Sequence, residues 1–151
     1  MLTKYLHKKG DIMNLDDVWL YNGKEFTENM IDDNFGMVYC ITNITNGKRY
    51  IGKKSFSKTK TYQKNKKKKR KRVASDWLSY TGSNDLLNED IKSGHQIKKE
   101  ILHLCKSKGL CSYYETKEIF DRSCLLNNDH YYNMWVYVRI NRSHLVQSKL
   151  K

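Results

Sequence analysis

Tyr39 and Tyr50 sit where a short hairpin would bring them together. Tyr39 lies in an aromatic and β-branched run over residues 36–42, and Tyr50 in an extended pattern over residues 48–52. Between them, Asn46-Gly47 is a strong hairpin-turn signal. In an antiparallel pair, facing residues have a constant index sum. A two-residue loop at Asn46-Gly47 pairs Thr45 with Lys48, a sum of 93; a four-residue loop pairs Asn43 with Lys48, a sum of 91. Side chains alternate with period two, so either odd sum puts both tyrosines on one face. Gly52 then ends the second run and lets another chain approach closely. On spacing alone the pair reads first as core aromatics, which are common in strands.

The segment after Tyr50 points to a polyanion. The 151 residues hold 29 Lys or Arg and 16 Asp or Glu, a net charge of +13. Residues 53–72 contain ten lysines, two arginines and no acid, so they carry +12, and the remainder is nearly neutral. Lys66-Lys67-Lys68-Lys69-Arg70-Lys71-Arg72 are seven adjacent cations, which in isolation make a solvated, mobile run. Such a run binds phosphates by releasing their counterions, without reading sequence. A nuclear-localisation signal or a charged loop without a partner has the same look. No amphipathic apolar face accompanies the charge, which argues against a membrane surface.

Other classes drop out on composition. No run reaches the roughly 20 apolar residues a bilayer requires, and residues 1–10 lack the apolar centre of a secretory signal. Cys40, Cys105, Cys111 and Cys124 show no C-x-x-C spacing, so buried thiols in a reducing cytoplasm are expected rather than a zinc ribbon. Length fits one domain, and eleven Tyr and three Trp supply much of a modest core.

The elements that must position the tyrosines can be traced from local pattern. Residues 1–14 read as a loose polar tail. Residues 18–21 are apolar and precede an Asn22-Gly23 turn, and Thr27 is placed to cap a short helical turn. After the basic run, Ser83 or Asn84 caps a helix carrying Leu86, Leu87 and Ile91, stopped by Gly94. Residues 96–105 read as a third strand. Ser112 is placed to cap a helix through Asp121 that carries Tyr114, Glu115, Glu118 and Ile119, and residues 134–140 read as a last strand. Few crossovers are available, so the expected fold is α+β: a small, mostly antiparallel three-stranded sheet flanked by helices. Residues 1–34 would form an N-terminal extension, residues 35–141 the domain with an insertion at 53–72, and residues 142–151 a tail.

Met37-Val38-Tyr39, followed by Lys48-Arg49-Tyr50-Ile51-Gly52-Lys53-Lys54 across an Asn-Gly turn, resembles the signature of the GIY-YIG nuclease superfamily. Met-Val replaces Gly-Ile in the first half, a mild apolar change, with Gly36 just before it. Tyr80-Thr81-Gly82-Ser83, the strand around Ile101, the helix with Glu115 and Tyr132-Asn133 follow the family's order. The lead-in Trp19-Leu20-Tyr21-Asn22-Gly23-Lys24 is closest to small phage-encoded, homing-type members.

The resemblance implies a metal-dependent endonuclease acting on DNA, expected to be double-stranded, with Mg²⁺ or Mn²⁺. One tyrosine would help activate water and the other orient it or the phosphate. A helix carboxylate would hold the cation, and a basic side chain would offset transition-state charge. A phenol of pKa near 10 requires such help to act as a base at neutral pH. Tyr39, Tyr50, Lys54, Glu115 and Asn133 are the implied catalytic residues, with Glu115 the metal ligand. Glu118, on the same side of the helix, reads as a solvated carboxylate. Members of the family keep an arginine about ten residues after the second tyrosine; here that position is Lys60, with Arg70 and Arg72 as further alternatives to Lys54. DNA contacts fall to Lys53, Lys58, Lys60, Lys64, Lys66, Lys67, Lys68, Lys69, Arg70, Lys71 and Arg72. The altered signature also leaves open a non-catalytic, basic nucleic-acid-binding protein on the same fold.

Overall fold

The structure is a computed structural model that describes residues 5–8, 11–14 and 18–146. Its strands are β1 (Tyr5–Lys8), β2 (Asp11–Asn14), β3 (Trp19–Tyr21), β4 (Lys24–Phe26), β5 (Gly36–Asn43), β6 (Arg49–Ser55), β7 (Ser57–Lys64), β8 (Lys67–Ala74) and β9 (Ile97–Cys105). Its helices are α1 (Asp85–Lys92), α2 (Lys108–Asp121) and α3 (Ser143–Val146).

The α+β class holds, but the main sheet has five strands rather than three, in the order β4-β3-β9-β5-β6. The expected three, β5, β6 and β9, are its antiparallel centre and edge. The other two come from residues 19–26. Asn22 and Gly23 both adopt left-handed φ, 51° and 76°, which closes a two-residue hairpin, and β3 then pairs in parallel with β9. Strands of three residues are too short to show a period, and a parallel partner some 80 residues away leaves no local signal. The N-terminal polar stretch also contains a pair, β1 with β2, rather than a loose tail; residues 1–4, 9–10 and 15–17, and 147–151 of the C-terminal tail, lie outside the described residues.

Register in the β5–β6 hairpin is set by its loop. Gly36 pairs with Ser55 and Thr42 with Arg49, so the index sum is 91. The four-residue loop is closed by Asn43, whose Oδ1 accepts from the backbone N–H of Thr45 (3.0 Å) and of Asn46 (3.3 Å). Its Nδ2 donates to the Tyr132 hydroxyl at 2.8 Å, tying the loop to the end of the domain.

Because β5 is buried on both faces, it reads as a continuous apolar run. Met37, Tyr39 and Ile41 pack with Trp19, Phe56, Trp77 and Leu87 of α1 on one side. Val38 and Cys40 pack with Ile51, Cys105, Cys111, Ile119 and Cys124 on the other, under α2. All four cysteines are buried and unpaired as disulfides. Lys99 is buried on β9, where its ammonium donates to the Leu78 carbonyl at 2.9 Å and lies 4.8 Å from the Trp19 ring.

The helix caps divide. Asn84 caps α1, accepting from Leu87 N–H at 3.0 Å. α2 begins at Lys108, capped by Ser107 rather than Ser112, so residues 108–111, which include buried Cys111, become its first turn. Residues 134–140 form no strand; the chain after Tyr131 runs along the open edge of β6 instead. No helix among the described residues is long and apolar enough to cross a membrane.

The basic segment is not an irregular loop. β7 and β8 form a separate two-stranded sheet, turned by Asn65 and Lys66, both at left-handed φ (53° and 62°). Its root is set in the core. Phe56, between β6 and β7, stacks on Phe26 at 5.8 Å and meets Trp77 edge-on at 5.3 Å. Phe56→Ala is therefore expected to cost roughly 3–5 kcal/mol. Urea unfolding would show a lower midpoint with little change in slope, whereas Leu126→Ala, at an 89% exposed position, leaves the midpoint nearly unchanged.

Candidate active site

β6 is an edge strand, so side chains from both of its faces can meet around its open side. Tyr50, Gly52 and Lys54 point to the face that holds Tyr39; Ile51 and Lys53 point to the α2 face. The rings of Tyr39 and Tyr50 are 6.3 Å apart, centroid to centroid. Gly52 is required by that packing, since a methyl group there would come within 2.4 Å of the Tyr39 hydroxyl.

Tyr50, Lys53, Ser83, Asn84, Glu115, Thr116 and Asn133 line one cleft of about 260 Å³, whose outer wall is Met134, Trp135 and Tyr137. At roughly 30 Å³ per water, that space accommodates a phosphate group together with several waters. The cleft thus brings together Tyr50 and Glu115, which start on opposite faces of the sheet. Glu115 is in an ion pair with Lys53, Oε2 to Nζ 3.0 Å, and the same ammonium donates to Ser112 Oγ at 3.0 Å. The Tyr50 hydroxyl is 3.2 Å from Ser83 Oγ.

Tyr39 lies beneath this cleft rather than in it, 1% exposed and packed edge-on against Tyr80 at 6.1 Å. Burial first, and the adjacent Tyr80 and Tyr50, hold its phenol well above the usual value. Burial also pushes Tyr50 up; the Ser83 hydrogen bond opposes this, while Glu115 and Tyr80 add to it. Both are neutral phenols at pH 7.

The other expected residues take separate positions around the sheet. Lys54 lies on the Tyr39 side, paired to Asp76 at 2.7 Å and 4.0 Å from the Tyr80 ring. The lysine that reaches Glu115 is Lys53. Glu118 faces a different strand: it accepts from His103 Nε2 and Arg122 Nε, both at 2.8 Å. Burial raises its carboxyl, but those two partners outweigh burial and hold it below the ordinary value. Asn133 is 7% exposed, and both ends of its amide are used on the edge of β6. Oδ1 accepts from Ile51 N–H at 3.0 Å and Nδ2 donates to the Ile51 carbonyl at 2.9 Å. With Arg49 N–H on the His130 carbonyl and Tyr132 N–H on the Arg49 carbonyl, it seals an edge that would otherwise pair with another strand. Lys60 and Arg70 lie on the β7–β8 hairpin, and Arg72, near its root, donates to Ser57 Oγ at 2.6 Å.

Lys53 is expected from sequence as a DNA contact and Ser83 and Tyr80 only as part of the family's order; their places beside Glu115, Tyr50 and Tyr39 come from the structure. The signal for Lys53 is period two, which puts it on the face of β6 opposite Tyr50; the structure shows α2, the helix that carries Glu115, on that face. Among the described residues no cluster of three or more His, Cys, Asp or Glu is arranged to hold a metal ion. The donor chemistry at Glu115 still fits Mg²⁺, which prefers oxygen and keeps most of its waters, so that one carboxylate suffices.

An edge-strand cleft holding a tyrosine, a carboxylate and a lysine, with a highly cationic hairpin on the next two strands, has groups of the kind that phosphodiester chemistry uses. A family model described as "Putative endonuclease segE, GIY-YIG domain" matches residues 19–136, and the chain belongs to this family of the GIY-YIG nuclease superfamily. Membership implies endonuclease activity in general and a nucleic-acid substrate. No curated protein and no solved structure matches the chain.

The site's electrostatics are open to direct measurement. In the metal-free protein, Tyr50 should titrate above an ordinary tyrosine; Glu115→Gln should lower its pKa and Ser83→Ala should raise it. NMR of labelled tyrosine ring carbons across alkaline pH reads all three, and unchanged values in both variants would exclude this arrangement.

Proposed function

We propose that the chain is a metal-dependent DNA endonuclease that hydrolyses phosphodiester bonds of duplex DNA, with Mg²⁺ or Mn²⁺ bound at Glu115. The observation that carries this reading is the convergence of Tyr50 and Glu115 on one cleft, with Lys53 beside Glu115. Glu115 would hold the cation through its one carboxylate, and the cation would supply positive charge to the phosphate. Lys53, released from its pair with Glu115, is then placed to offset the charge that builds on the phosphate. The Tyr50 hydroxyl, held by Ser83, would orient the attacking water; as the phenolate, its own proton given up to solvent, it would accept the water's proton as the water attacks phosphorus, and the leaving oxygen would take a proton from solvent. Tyr39 touches no solvent; it is a positioning residue that fixes the Tyr50 ring from below. Asn133 likewise acts through the strand, keeping β6 straight behind the cleft.

The Lys53–Glu115 pair also gives a second reading its one observation. A carboxylate already neutralised by a lysine suits a non-catalytic nucleic-acid-binding protein on the same fold. Supercoiled plasmid with Mg²⁺ separates the two. Wild type should nick or linearise it, Tyr50→Phe and Glu115→Ala should lose about 10²-fold or more in rate, and chelator should abolish the activity. Wild type no faster than both variants would falsify the enzyme reading and leave the binding protein. A homing-type role further requires cuts at a defined site, which sequencing the ends of cut plasmid tests.

A further inference from the structure

The pairing of β7 with β8 sorts the basic segment into two chemically different faces. Thr59 pairs with Arg72, Thr61 with Arg70 and Gln63 with Lys68 on one face. Lys60 pairs with Lys71, Tyr62 with Lys69 and Lys64 with Lys67 on the other. Both arginines, Gln63 and the two threonines of the segment therefore share a face with a single lysine, Lys68, and six lysines, counting Lys58, share the opposite one with Tyr62. Composition could not show this, because the partition comes from the register. Both faces are exposed along nearly the whole hairpin.

We propose that this hairpin is a β-ribbon that enters the major groove of B-form DNA, with Arg70, Gln63 and Thr61 toward the base edges, and with the long lysines of the outer face bending round the ribbon's two edges to the phosphates that flank the groove. The inference rests on the nuclease reading for its substrate and adds how that substrate is selected. Eight residues per strand span roughly 26 Å, and two strands lie about 4.8 Å apart. A groove about 12 Å wide admits such a ribbon, whereas the deep, narrow major groove of A-form RNA does not. The side chains sort in the same sense. Arginine pairs bidentately with guanine O6 and N7, glutamine with adenine N6 and N7, and the threonine methyl packs on that of thymine. Lysine is a point charge suited to phosphate. The ribbon's base is fixed rather than hinged freely. Phe56 is buried at the root, its N–H bonds the Phe35 carbonyl at 3.1 Å, and Ser75 N–H bonds the Phe56 carbonyl at 2.9 Å. Arg72 is held there too, against Ser57 and 5.7 Å from the Phe35 ring. β6, which carries Tyr50 and Lys53, leads into β7 through Phe56 alone, so a groove position chosen by the ribbon sets which phosphate meets the cleft.

The test uses the full chain carrying Glu115→Ala, so that binding is read without cleavage. Selection of bound duplexes from a random DNA pool should enrich a short motif. Arg70→Ala and Gln63→Ala should each reduce the preference for that motif over a scrambled duplex by about tenfold, each at its own base position. Lys60→Gln with Lys69→Gln and Lys71→Gln should instead weaken both duplexes alike and lower the salt slope by about 0.9 for every phosphate no longer neutralised. All five positions are exposed, and circular dichroism verifies that the variants fold. The proposal is overturned by absence of any enriched motif, by equal effects of the two sets of variants, or by equal affinity for duplex RNA. A protein that selects a motif but whose wild type never nicks DNA keeps the ribbon and loses the nuclease reading. One that nicks all sequences alike does the reverse.

Discussion

The register of β5 against β6 is the constraint on which the site depends. With an index sum of 91, Tyr39 lies opposite Gly52, and its ring occupies the space that a side chain at that position would fill. Tyr50 falls on the same face two pairs along, and Lys53 is forced to the opposite face. A slip by one residue would exchange the faces, putting Lys53 into the core beside Trp19 and Tyr50 under α2. The slip is resisted at the loop, where one buried side chain, Asn43, accepts two backbone N–H groups and binds Tyr132. A buried amide left without such partners costs about 1–3 kcal/mol, so the network favours one loop length over its neighbours.

The strand order leaves β6 at an edge, and the edge is where the site forms. A cleft built on one face of a sheet could collect either the tyrosine or the helix carboxylate, not both. At the rim, side chains from the two faces converge from opposite directions, and residues 130–133 cover the backbone groups that would otherwise be open. Asn133 takes part by mimicking a strand partner. That explains why its side chain is spent on Ile51 although it lines the cleft.

The residues that decide the site are legible in the sequence where a short-range rule governs them. Parity alone places Tyr39 with Tyr50 and Lys53 on the opposite face; that the helix bearing Glu115 covers that face is known only from the structure. A cap at Ser83 or Asn84 announces α1, and the apolar centre at Ile101 and Leu102 announces β9. Long-range pairing is not legible: β3 is three residues whose meaning comes from β9, and the run after Tyr132 is as apolar as a strand but finds no strand partner. The start of α2 is ambiguous locally because two serines compete as caps, and burial of Cys111, a tertiary fact, selects Ser107. Repulsion between neighbouring cations makes the basic run look mobile, but the alternating threonines and the Asn65-Lys66 turn favour a ladder and prevail.

Charge connects the hairpin to the cleft. A two-stranded ribbon is marginal by itself, and directly opposed pairs such as Lys60 with Lys71 and Lys64 with Lys67 weaken it further. Its fold is held by the aromatic root at Phe56, and phosphates placed along it would remove the remaining repulsion. The cleft has the converse arrangement. Its carboxylate is matched by a lysine, and its phenol is kept neutral by burial and by that carboxylate. On the proposed reading, a phosphate and a cation arriving together would preserve the balance of the cleft while freeing Lys53 for the phosphate and giving Tyr50 the positive surroundings it lacks. The same polyanion would then relieve the hairpin's repulsion and equip the cleft for chemistry.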